Sequence, residues 1–166
     1  DGGGPTEETG RTAARLGHEW AAPTDHSPRL TAARGLSADR LREQPDVVVE
    51  PNGTRAPFRL LTGIECDILD DGSLGQGPES LDRLDVVVVS VHSGLRMDAR
   101  ATTRRMVAAV RDPHSEVLGH CTGRLVSGRG RPESRSDADE VFGARAETGP
   151  AVGIDSRSER LDPPGG

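Results

Sequence analysis

Five short apolar runs in this 166-residue chain end in an imidazole or a carboxylate. AAPTDH stops at His26, LLTGIE at Glu65, VVVVSVH at His92, EVLGH at His120 and AVGID at Asp155. Such a ligand mixture suits Zn, Mn or Fe better than an all-oxygen magnesium site. A carboxylate inside an apolar strand, as at Glu65, is costly to desolvate without a cation. Burial at the end of the valine run favours a neutral, ligating imidazole at His92. The spacing between endings approaches a strand plus a helix, and a parallel βα unit takes about 30 residues. In a parallel barrel the chemistry-bearing strand ends open on one rim. Ligands repeated there would converge, so the expected chemistry is metal-dependent hydrolysis.

Each residue has a plainer explanation when taken alone. A histidine after a strand is commonly a hydrogen-bonded surface residue, and Glu65 could pair with one of the many arginines. The coincidence of four such endings is what favours shared ligation. His18 and His114 fall at helix ends or in loops and are expected to be structural or solvated. Cys66 and Cys121 each follow a proposed ligand, and strand alternation turns them the other way as packed thiols. The Arg/Gly-rich loop 122–135 carries Arg124, Arg129, Arg131 and Arg135. Arg124, nearest His120, is assigned to phosphate oxygens through forked charged hydrogen bonds; the other three are expected to be solvated. No Cys-x-x-Cys, GxxxxGK[ST] or strand-linked GxGxxG occurs, which argues against a zinc knuckle and a nucleotide-binding loop.

The elements that would hold these groups alternate between strand and helix. PTEETGRTAARLG predicts a helix with Pro5 in its first turn, Gly10 weakening its middle and Gly17 ending it. A second helix should start at Ser37 and break at Pro45, before a turn over PNGTRAP. FRLLTGIECDIL reads as one strand, followed by the DDGSLGQG turn. LDVVVVSVHS suits a strand buried on both faces of a parallel sheet. DARATTRRMVAAVRDP predicts a helix capped by Asp98, with Met106, Val107 and Val110 on its inner stripe. SEVLGH gives a short strand, SDADEVFGARAETG a helix with a Ser136/Asp139 capping-box start, and PAVGIDS a last strand. The fold class is α/β.

Composition narrows the alternatives. Leu, Ile, Val and Phe make up about a fifth of the chain, and the net charge is only −6. A folded but thinly packed domain is expected rather than disorder, which also wants high net charge. All 21 basic residues are arginine and tyrosine is absent. Mild acidity argues against broad nucleic-acid binding, which favours basic faces. No apolar run approaches the ~20 residues of a membrane span. Two cysteines build no disulfide framework, so a cytoplasmic location is expected.

These residues, in this order, resemble the polymerase and histidinol phosphatase (PHP) family, above all the PHP domains of bacterial family X DNA polymerases and their stand-alone relatives. The resemblance rests on LGHEWAAPTDHSPRLTAARGLSADRL, FRLLTGIECDILDDGSL, LDVVVVSVHSGLRMD, RDPHSEVLGHCTGRL with GRGRPES, and IDSRSERLDPP. It implies a distorted (β/α)7 TIM-like barrel with two or three divalent metals at its rim, held by His26, Glu65, His92 and His120. The opening DGGGPTEE is similar to the end of the family's first motif and makes Asp1 a further metal ligand. Arg124 and Arg160 are assigned to substrate phosphate, and Asp155 is a further candidate for ligation or substrate contact. The family's His-x-His and Asp-x-His motifs are expected outside this segment, which reads as a single incomplete PHP domain over 1–166 lacking the first and last strands. The implied activity is phosphoester hydrolysis on a small phosphomonoester or a DNA 3′ end. The rival expectation is a non-catalytic fragment that at most binds metal or a partner.

Overall fold

The computed structural model describes residues 6–26, 58–128, 130–149 and 151–163. Asp1, the helix expected from Ser37 with its break at Pro45, the turn at 51–57 and Arg129 lie outside the described residues. The described residues form an α/β fold with parallel strand pairs. By contact the chain divides into Asp1–Glu65 with Gln76–Val87, and Cys66–Gly75 with Val88–Gly166.

In the first unit, helix α1 (Thr6–Arg15) runs through Gly10 and stops at Gly17, whose φ of 84° suits a residue without a side chain. Ala13 and Ala14 of α1 pack on Phe58 and Leu60, the small apolar core of this end. Strand β1 (Trp20–Ala21) pairs in parallel with β3 (Arg59–Leu60). Strand β2 (Asp25–His26) pairs in parallel with the start of β4 (Gly63–Asp67). The single strand expected from Phe58 onward is therefore two, parted at Leu61 and Thr62. Apolar residues on both sides of Thr62 and Gly63 hide the break, because both halves want burial while their backbones pair with different neighbours. Thr62 explains the stop. Its N–H and hydroxyl donate to Asp85 Oδ2 at 2.8 and 2.9 Å, and Val86 N–H donates to its carbonyl at 3.0 Å. That lock ties the entry of β4 to the entry of β5 (Val86–Ser90). A one-turn helix, α2 (Pro78–Leu81), follows directly on the DDGSLGQG turn, started by Pro78 and anchored by buried Leu81.

In the second unit the strand order is β4, β5, β6 (Val117–Leu118), β7 (Ala151–Val152). The β5–β6 and β6–β7 pairs are parallel. The valine strand does not hide both faces alike: Val89 and Val91 are fully buried, Val88 only half. Helix α3 (Ala99–Val110) begins as expected at Asp98, whose carboxylate accepts from Ala101 N–H at 3.0 Å. Met106 and Val110 are buried and Val107 half-buried. Helix α4 (Ala138–Thr148) packs on α3 and is capped by Asp137, not Ser136. The Asp137 carboxylate accepts from Glu140 N–H at 3.0 Å, and its own N–H donates to Thr103 Oγ1 at 2.8 Å. The cap is thus fixed by contact with α3, which a local pattern does not report.

Two fully buried arginines tie this unit together. Arg105 donates to Ser93 O at 2.7 Å and to Asp70 at 3.1 Å. Arg145 donates to the carbonyls of Val110, Ser115 and Ala151, linking the end of α3 to the starts of β6 and β7. Burial lowers the pKa of both guanidiniums from their ordinary value. Among the described residues no helix is long and apolar enough to cross a membrane.

Candidate metal centre

In the first unit, the parallel register sets His26 directly beside Glu65. His26 Nδ1 lies 3.3 Å from Glu65 Oε2, with both side chains largely but not wholly buried. An imidazole at the end of β2 and a carboxylate in the middle of β4 are thus delivered together. The pairing follows from backbone register, not from any flexible loop.

In the second unit, His92 follows β5 and His120 follows β6. Their rings meet edge-on, with centroids 5.0 Å apart and planes at 71°. His92 Nδ1 contacts the carboxylate of Asp67, at the end of β4, and both side chains are about nine-tenths buried. Asp67 was missed in the sequence. The Glu-x-Asp spacing in GIECD was the available signal, since residues two apart on a strand share a face.

The turn after His120 is held by buried Asp162. Its Oδ1 accepts from Thr122 N–H at 3.1 Å and lies 3.8 Å from Cys121 Sγ. Arg124, four residues beyond His120, donates through Nε to Arg160 O at 2.8 Å. Arg160 in turn pairs with Asp155, Nε to Oδ2 at 3.4 Å. Backbone bonds between Asp155 and Asp162 close the loop carrying Arg160. Arg124, Asp155 and Arg160 are therefore one assembly in the second unit, with Arg131 joining it through a 2.6 Å bond to Gly123 O. Burial first, and neighbouring Arg160 second, push the Arg131 guanidinium below its ordinary pKa, while Asp162 opposes them. His18 is exposed, and His114 pairs with Asp112 at 3.0 Å.

Both cysteines are buried. Burial, and then the Asp162 carboxylate, push the Cys121 thiol up from 9.0 to about 12. A raised folded value means that stability is fully present below the unfolded thiol's pKa and falls as pH climbs from about 9 toward about 12. Denaturant midpoints at pH 7 and pH 10 should therefore separate by more in the wild type than in Cys121→Ala. Equal separations would show that this thiol does not drive the alkaline loss.

No family model matches the chain. It is 32% identical over 162 residues to a Bacillus subtilis protein named DNA polymerase/3'-5' exonuclease PolX, covering 98% of this chain. It is 25% identical over 155 residues to a Syntrophotalea carbinolica protein named probable phosphatase, covering 91% of this chain. The chain is of PHP type. This PHP segment spans 28% of the length of the first relative and 58% of the second.

Proposed function

We propose that this PHP segment carries a multinuclear metal centre that hydrolyses phosphate esters. The observation that carries the reading is the pairing of candidate ligands on or just beyond the strands: His26 with Glu65, and His92 with His120. His26 with Glu65 in the first unit, and His92 with His120 in the second, would each offer donors to divalent cations, with Asp1 serving a further one. Imidazoles mixed with carboxylates fit Zn, Mn or Fe. When bound, such cations activate water and neutralise phosphate charge. Arg124 and Arg160 would orient the phosphate oxygens, and Asp155 would hold Arg160 in place. The names of the two relatives support either a phosphomonoester or a DNA 3′ end as substrate. The reading treats 1–166 as a single domain of the distorted (β/α)7 barrel, with 122–135 as its arginine loop. Two buried cysteines that build no disulfide framework suit a cytoplasmic protein.

The test is direct. The purified chain should contain Mn, Zn or Fe and hydrolyse a chromogenic phosphomonoester or a 3′-labelled oligonucleotide until chelator is added. His120→Ala should lower metal content several-fold, and His114→Ala should leave it unchanged. Metal without chelator-sensitive turnover would favour the non-catalytic reading. Equal effects of the two substitutions would reject the ligand assignment.

A further inference from the structure

We infer that Asp67 is the positioning residue for His92, holding its ring and its tautomer ready for a metal. The inference rests on the metal-centre reading of His92 and adds a role for a residue outside the ligand set.

Strand β4 ends at Asp67 and runs beside β5, so that Ile68 N–H donates to Ser90 O at 2.9 Å. That register brings the Asp67 carboxylate level with the imidazole two residues beyond β5. Asp67 is only 6% exposed. A carboxylate there needs a specific partner, because desolvating it alone is costly. The partner is His92 Nδ1.

An ionised carboxylate can only accept hydrogen bonds, whereas a neutral imidazole has one nitrogen that donates and one that accepts. Contact with Asp67 therefore assigns the proton to Nδ1 and the lone pair to Nε2. A metal takes up a neutral imidazole through its lone pair. The carboxylate also fixes the ring's rotation, the way such partners orient ligating histidines. His120 meets the same ring edge-on, so rotation of His92 would disturb both.

The experiment uses the full 166-residue chain and two variants, Asp67→Asn and Asp67→Ala. The first keeps the side-chain volume, and the second removes the acceptor. Titration with Zn²⁺ or Mn²⁺ against a competing chelator should show affinity weakened about 10- to 100-fold in both. Nitrogen-15 imidazole shifts of the metal-free chain should report the Nδ1–H tautomer at His92 in the wild type, and a shift toward Nε2–H in Asp67→Ala. Thermal melts identify a variant that fails to fold, in which case the other carries the test. Unchanged affinity together with unchanged His92 shifts would overturn the role of Asp67. A wild-type chain that takes up neither metal would sink the metal-centre reading instead, and the nitrogen shifts would still decide what Asp67 does to His92.

Discussion

Replacing Arg145 with methionine is expected to destabilise the chain by about 3–5 kcal/mol, through buried acceptors left without donors. The guanidinium donates to Ser115 O at 2.9 Å, to Ser115 Oγ at 3.2 Å, to Val110 O at 3.3 Å and to Ala151 O at 3.1 and 3.2 Å. Val110 O keeps a second donor in the Thr148 hydroxyl, at 3.2 Å, so its loss is the mildest. The buried Ser115 carbonyl loses its bond where water reaches poorly, whereas exposed Ala151 can turn to solvent. Relief of the desolvated charge offsets part of the cost, which is why the figure stays below a simple sum over bonds. At about 2–4 °C per kcal/mol for a chain of this size, the melting midpoint should fall by roughly 10 °C. Arg145→Lys should recover less than half of that, since one ammonium cannot follow the planar fork to three carbonyls. A methionine variant melting within about 2 °C of wild type, roughly 1 kcal/mol, would show that the clamp contributes little.

The second large effect is steric. Gly119 follows β6, where the parallel register brings it beside Ser90 of β5. A Cβ at position 119 would lie 2.1 Å from Ser90 Oγ and 2.9 Å from Val88 Cγ1. Real carbon atoms do not approach so closely, and Ser90 is fully buried. Gly119→Ala should therefore cost about 2–3 kcal/mol, near the top of the usual range for an overfilled core. The strain falls on the residue before His120, so metal content should drop as well. Ser90→Ala combined with Gly119→Ala removes the 2.1 Å collision and keeps the 2.9 Å one. The double variant should regain most, not all, of the lost stability, a coupling that denaturant titration of the four chains would measure. Additive effects would show that the two positions do not collide.

How much could be read from the sequence differs by residue, for physical reasons. Helix α3 was legible because its cap, its buried stripe and its end are all local: Asp98 bonds three residues ahead, and Met106 and Val110 lie one turn apart. The endings at His92 and His120 were legible because a buried strand must be apolar until it emerges, and the first polar residue marks that point. The break between β3 and β4 was not, since Leu60 and Leu61 look the same whichever neighbour their backbone joins. The cap at Asp137 escaped by one residue because Thr103, far along the chain, decides which of two adjacent polar groups starts the helix. Arg105 and Arg145 were indistinguishable from the other arginines, for burial of a cation depends on carbonyls that only the fold collects. Asp67 was hidden by standing two residues after a more conspicuous acid. The candidate site was therefore most readable where a polar residue follows an apolar strand, and least readable where one side chain contacts another from a neighbouring strand.

The setting of Cys121 makes alkaline unfolding of this chain unusually easy to follow. With neither lysine nor tyrosine in the sequence, ammonium and phenol side chains add nothing to the proton count at high pH. A sulfur whose ionisation is delayed to about 12 by burial and Asp162 should deprotonate abruptly once the chain opens. Ultraviolet absorbance from the newly formed sulfur anion, with no phenolate band beneath it, then becomes a built-in gauge of the opened population.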